Sequence, residues 1–425
     1  MYTPSEKIEG LGFGPLPRET GNTQKTPLTD NVPPQGVVPR LIRRKAIVAL
    51  FCIALIARVG SALFLHSYCE THREFLDEQT YDRAGWELAT HWRTGDTFVL
   101  GKDYKSLSKG YLIWLAALYY VFGHHILIPK VCNALIGAVI VLFIYRAARF
   151  FTSEKAAFIA ASLYAVWPSC IFWASLNLKM TWIVALITSG VAAFFSLMRR
   201  FSVTSLIVAT VTLWLLYYFQ RYSAGFLLFI YPVTLLFIRP LCRHVTAVRL
   251  LFAALGLCFF LVFFYYLVHP FFAFVNIRDF TWLSIWRDRM TVDNSAFMKG
   301  VDLSTPLSIL KFLPVGLFYF FFAPFPANVT NVRLMAAFLE NIVWYPLFMA
   351  GVIGIWRVCR RKDSCLFGIA ALLYCLGMAC GFALMEGNIG SFIRHRFQVI
   401  PLYFMFTGAG IAYLTRRDAQ KVNEE

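Results

Sequence analysis

Charge is scarce in this sequence, and acidic charge most of all. Asp, Glu, Lys and Arg make up 15% of the 425 residues, with 23 acids against 40 bases, while 59% of positions are hydrophobic and the mean hydropathy is +0.61. Water cannot solvate that much apolar surface, which excludes a soluble globular domain. Cysteine is present without pattern: there are 10, with no CxxC pair, and most lie inside apolar runs. Neither a disulfide framework nor a zinc site finds support in that scatter, and the cysteines read as small buried hydrophobes. An internal repeat is also missing.

Apolar length is what the chain has in abundance. Runs of about 20 residues, enough to cross roughly 30 Å of hydrocarbon, recur from Ala46 to Leu414. The expected fold class is therefore an all-α polytopic membrane protein. The net charge of +17 would suggest nucleic acid in a soluble protein, but here the bases stand beside the apolar runs. That is the positive-inside pattern, and no basic face interleaved with polar readout residues accompanies it. Membrane lipids are expected partners and nucleic acid is not.

Residues 1–40 are polar and rich in Pro, Gly and Thr, without a hydrophobic period, and read as a disordered cytoplasmic tail. The first apolar run begins only after Arg43, Arg44 and Lys45, too far along for a cleavable signal peptide. It reads as a first span, 46–66, leaving the cytoplasm. A transmembrane domain is expected over 41–417, followed by a cytoplasmic tail, 418–425. Residues 67–124 then form a first external loop, with a helix predicted from Thr80 to Trp92. Its apolar stretch from Gly110 to Phe122 is too short to cross untilted and reads as interfacial or re-entrant. Further spans are expected at 126–145, 156–172, 180–197, 203–219, 224–238, 250–268, 335–356, 365–384 and 397–414, with the basic ends inside. Residues 269–306 form a second external loop. The stretch from Leu307 to Pro326, interrupted by Pro314, Pro324 and Pro326, reads as a second re-entrant element. About ten spans result, with both termini cytoplasmic, as in a multi-pass protein of a bacterial inner or plasma membrane.

This topology gathers uncommon polar residues on the outside. Asp77 and Glu78 stand together just before the loop helix. One carboxylate can take a proton from an incoming hydroxyl or amine while its neighbour holds a divalent cation or orients the acceptor; the alternative is that both simply favour a helix N-terminus. Lys105, Lys109, Lys179, Arg221, Arg394 and Arg396 sit at external ends, against the positive-inside trend, and so need another cause. Lipid headgroups would account for some of them. Several around one cavity would stabilise a departing phosphate. His395, between two arginines, is a candidate acid/base or phosphate ligand. Asn177, Glu386 and Asn388 fall on the same side.

In order along the chain come Asp77-Glu78 with Tyr81, Ala84 and Leu88; Lys109-Gly110-Tyr111; Ser175 to Lys179; Arg221 to Gly225; Pro324-Phe325-Pro326; and Asn388-Ile389-Gly390 with Arg394-His395-Arg396 and Pro401. This ordered set resembles the C-type-fold membrane glycosyltransferases, near the protein mannosyltransferase and aminoarabinose transferase group. The resemblance implies a polyprenyl-phosphate sugar donor and a glycan, lipid or protein acceptor. It implies Asp77 as the base, Glu78 beside it at the acceptor or at a divalent cation, Mg or Mn, and Tyr81 nearby. It also implies the lipid phosphate against Lys109, Arg221, Arg394 and Arg396. Two rivals remain: a transporter or flippase of lipid-linked sugars, and a metal-independent glycan polymerase or ligase centred on Arg394, His395 and Arg396.

Overall fold

The computed structural model describes residues 40–72, 76–95, 107–237, 258, 280–291, 295–361 and 365–422. The expected N-terminal tail, Lys105, nearly all of the span at 250–268 and residues 269–279 and 292–294 of the second external loop lie outside them. Among the described residues the chain is helical: α1 (Arg40–His72), α2 (Leu76–Thr94), α3 (Lys109–Phe122), α4 (Leu127–Ala148), α5 (Glu154–Val166), α6 (Pro168–Ala174), α7 (Met180–Arg199) and α8 (Val203–Phe219). Then come α9 (Arg221–Phe237), α10 (Thr281–Met290), α11 (Pro306–Phe322), α12 (Val332–Cys359), α13 (Cys365–Met385), α14 (Ile389–Arg396) and α15 (Ile400–Val422). No strand is formed among the described residues beyond a single bridge, Ala296 to Asn388. Residues Arg44–Glu425 form one compact unit, which holds every candidate site residue among the described ones.

Five helices are long and apolar enough to cross a bilayer, namely α1, α4, α7, α12 and α13, and the bent pairs α5–α6 and α14–α15 raise the number to seven. This is an integral, multi-pass membrane protein. The helix α3, with 14 residues, rises only about 21 Å, short of a full crossing. Apolar surroundings force each helix end to find its own partners. Ser108, Ser153, Ser202, Asn331 and Asn388 accept from backbone N–H groups as N-caps of α3, α5, α8, α12 and α14. A reciprocal Thr305–Ser308 box opens α11. Gly123, at φ 82°, closes α3 in a conformation that L side chains resist.

Several expected boundaries are corrected. The loop helix begins at Leu76, placing Asp77 and Glu78 inside its first turn. Pro314 lies within α11 and does not interrupt it; the break comes after Phe322. The span expected at 156–172 is bent by 59° between α5 and α6. Trp167, the residue before Pro168, is held extended by the proline ring and cannot continue the helix. The last expected span begins at Ile400, turned by 64° from α14.

The bend between α5 and α6 leaves helix ends inside the protein, and charged side chains from elsewhere cover them. Arg58 of α1, fully buried, donates to Tyr164 O and Ala165 O, each at 2.9 Å. Glu340 of α12 accepts from the Ser169 N–H and hydroxyl, each at 2.8 Å. A cation at a helix C-terminus and an anion at an N-terminus both match the helix dipole.

Glycine sets the tightest packing. A β-carbon at Gly354 of α12 would collide with the Phe406 carbonyl of α15, and one at Gly410 of α15 with the Ala350 carbonyl of α12. Small residues let membrane helices approach backbone to backbone. Gly354→Ala and Gly410→Ala should each destabilise by about 1–3 kcal/mol, measured as thermal unfolding in detergent. Unchanged unfolding of both variants would contradict this packing.

Candidate active site

Consecutive helical residues point about 100° apart, and the acidic pair at the start of α2 is divided accordingly. The Asp77 side chain is 64% exposed and pairs with Arg394 Nη1 at 2.5 Å, whereas Glu78 is 3% exposed and pairs with Lys130 Nζ of α4 at 3.2 Å. Glu78 Oε1 also accepts the Asn177 N–H at 2.6 Å. Asn133 of α4 donates to Leu176 O at 2.7 Å and Leu178 O at 3.1 Å, and the Tyr111 hydroxyl donates to Asn177 Oδ1 at 2.7 Å. The segment from Ser175 to Lys179, joining α6 to α7, is thereby fixed between α2, α3 and α4.

These residues do not fit the divalent ion expected at Asp77 and Glu78. The two carboxylates face different surroundings, and a lysine ammonium already sits on Glu78. Hard cations such as Mg and Mn need several oxygens converging on one point. Among the described residues no group of three or more His, Cys, Asp or Glu converges.

The three adjacent basic residues of α14 take three directions. Arg394 reaches outward to Asp77. His395 is buried, its Nε2 at 3.1 Å from Glu386 Oε1, its Nδ1 at 3.3 Å from Gln398 Nε2 and its ring stacked on Phe382. With both nitrogens engaged, His395 has no free position for a substrate proton. Arg396 turns inward, donating to Phe320 O at 2.9 Å, to Asn341 Oδ1 at 2.9 Å and to Ala323 O. The expectation that Arg396 meets a lipid phosphate is corrected: its donors are committed to protein acceptors. His395 and Arg396 anchor the short helix that presents Arg394.

Three other cations stand at helix N-termini: Lys109 opens α3, Lys179 immediately precedes α7 and Arg221 opens α9. These ends meet. The Ser108 hydroxyl donates to Phe219 O at 2.9 Å, tying the start of α3 to the end of α8 beside Arg221. Trp182, in the first turn of α7, packs on Phe219 and on Trp114 of α3. Helix dipoles disfavour cations at N-termini and attract anions there, so basic residues at such ends make a strongly electropositive junction. Lys109 and Arg221 are exposed, and the Arg221 guanidinium lies over the Tyr217 ring. Tyr81 is buried, accepting from the Ser108 N–H at 3.1 Å, so it braces this junction from within.

Burial lowers the Lys179 ammonium from 10.5 to about 8, assisted by the Arg394 charge and opposed by Asp77. Burial pushes the Glu386 carboxyl up, but the hydrogen bond and charge of His395, with Arg394, outweigh it and hold it below its usual value. The site therefore presents an exposed carboxylate, an arginine bound to it and a lysine close enough for both charges to act on it.

No family model and no curated protein matches this chain. Among solved structures, ArnT from Cupriavidus metallidurans bound to undecaprenyl phosphate matches with TM-score 0.51 at 16% identity, over 88% of this chain and 61% of that one. The Archaeoglobus fulgidus oligosaccharyltransferase in its apo form matches with TM-score 0.52 at 12% identity, over 89% of this chain and 51% of that one. The same enzyme tethered to an acceptor peptide containing the NVT sequon gives 0.52 at 13%, over 89% and 50%. The fold is the C-type glycosyltransferase fold. The chain spans about three fifths of ArnT and about half of the oligosaccharyltransferase.

Within this C-type fold, Arg58, Lys130, Arg287 and Glu340 are charges that the sequence pattern had not singled out. Arg58 and Lys130 sit inside apolar runs and are buried, a signal that alone marks a residue as structurally or functionally committed. Arg287 of α10 is buried between the Phe297 and Phe312 rings and donates to the Glu386 carbonyl.

The Glu78–Lys130 pair yields a direct test. Lys130→Met alone should destabilise by about 3–5 kcal/mol in thermal unfolding, because it strands a buried carboxylate, and Glu78→Gln with Lys130→Met should recover more than half. Additive losses would contradict the pairing.

Proposed function

We propose that the protein is an inverting membrane glycosyltransferase that moves a sugar from a polyprenyl-phosphate donor to a hydroxyl or amine acceptor on the non-cytoplasmic face. The observation that carries this reading is the exposed Asp77 carboxylate set against Arg394 and Lys179, at a junction of cationic helix N-termini. Two features of known structures support it. The matched ArnT structure holds undecaprenyl phosphate, and one of the matched oligosaccharyltransferase structures holds an acceptor peptide. Basic residues at the opposite helix ends, such as Arg146, Arg199 and Arg357, support the reading in which that opposite side is cytoplasmic.

In this reading Asp77 accepts the proton of the acceptor O–H or N–H as its heteroatom bonds to the anomeric carbon. The bond from that carbon to the phosphate oxygen breaks, and its electron pair leaves with the lipid phosphate. Lys179 and Arg394 receive the charge that develops there, with Lys109 and Arg221 extending the positive field. Attack opposite the leaving phosphate inverts the anomeric configuration. A flippase would need the same cations but no base, and an exposed carboxylate placed beside them favours bond cleavage.

Purified protein in lipid nanodiscs, given a panel of polyprenyl-phosphate sugars, should release lipid phosphate and form glycosylated acceptor. Asp77→Asn should lower the rate by about 10²–10⁴-fold, and full activity in that variant would remove Asp77 as the base. In liposomes, passage of intact donor across the bilayer without cleavage would identify a flippase instead. Lys179 supplies a pH test. It is charged below its value of about 8 and neutral above, so donor affinity should weaken as pH rises through 8. Lys179→Arg, which stays charged, should abolish that decline; a decline that persists would assign it to another group.

A further inference from the structure

Arg394 holds two assignments that it cannot fill at once. Its Nη1 lies 2.5 Å from Asp77 Oδ2, so the proposed base is occupied by the cation that the proposed phosphate needs. The oxygen that accepts from the guanidinium is covered by it, so an incoming acceptor cannot reach that oxygen while the pair holds. We propose that the donor switches the base on: its phosphate draws Arg394 away from Asp77, and the freed carboxylate then turns to the acceptor. This rests on the reading of the site as a lipid-phosphate glycosyltransferase and adds an obligatory order, donor before acceptor.

The surroundings allow the exchange. The Asp77 and Arg394 side chains are 64% and 31% exposed, so the pair is screened by solvent and a phosphate can compete for the guanidinium. Arg394 differs in this from its neighbour Arg396, whose guanidinium is locked by Phe320 O, Ala323 O and Asn341. The helix backbone stays in place while one side chain changes partner, because His395 and Arg396 anchor α14 on either side of its axis. Lys179 lies near enough to both Arg394 and Asp77 for their charges to act on it, so it can compensate whichever anion Arg394 leaves. A phosphate also prefers the planar guanidinium fork, which offers it parallel donors.

The test is a double-mutant cycle on binding of a sugar-free polyprenyl monophosphate to the full chain in nanodiscs. Wild type, Asp77→Asn, Arg394→Gln and the double variant are compared, after thermal unfolding confirms that each is folded. Asp77→Asn should bind the lipid phosphate about two- to fivefold more tightly, the worth of an exposed ion pair, because no partner has to be displaced. The same substitution should change nothing once Arg394 is Gln. Unchanged or weaker binding by Asp77→Asn overturns the proposal. Equal tightening in both backgrounds also overturns it, since that signifies simple repulsion between Asp77 and phosphate. If Arg394→Gln does not fold, Arg394→Met, which keeps the apolar stem, takes its place. Absence of binding in wild type rejects the lipid-phosphate reading itself, whereas binding without coupling rejects only the exchange.

Discussion

Glu78 is a buried carboxylate on a helix whose next face is open to water, and it joins distant parts of the chain through charge and hydrogen bonding. Lys130 neutralises it from α4, and the Asn177 N–H binds the same oxygen from the segment before α7. A charge this deep is tolerated only with such partners, so the first turn of α2 has one place to sit. Asp77, one residue earlier, is consequently aimed at the junction where α14 presents Arg394, and Lys179 arrives there at the end of the segment that Glu78 grips. The reactive-looking carboxylate depends on the unreactive one.

The same economy recurs at the bend between α5 and α6. Broken helices at membrane depth commonly expose their ends to ions or substrates, because unsatisfied N–H and C=O groups there are costly. Here Arg58 and Glu340 cover both ends from within the protein. The bend thus delivers the segment from Ser175 to Lys179 to the place where the helix starts that carry Lys109, Lys179 and Arg221 meet.

Membrane insertion, helical class and the prominence of the Asp77-Glu78 pair were legible in the sequence, since each follows from apolar length or from rare acidic charge beside a helix start. Direction was not. Neighbours in sequence, Asp77 with Glu78 and Arg394 with His395 and Arg396, read as clusters, yet the helical rotation sends them to different surroundings and gives them different work. Glu78, His395 and Arg396 hold the framework, and only Asp77 and Arg394 among these five keep polar atoms open to a substrate. Arg58, Lys130 and Glu340 carried a readable signal as charges within apolar runs, but their partners lie in segments far away along the chain, beyond any local pattern.

One junction, where the starts of α3, α7 and α9 meet Arg394, is the proposed seat of a lipid phosphate. An electron cryo-microscopy structure of the protein in nanodiscs with a polyprenyl monophosphate tests that most directly. The phosphate should lie within hydrogen-bond reach of Lys179 and Arg394, on the same end of the bundle as Asp77. A phosphate bound at the opposite end, beside Arg146, Arg199 or Arg357, would contradict that placement.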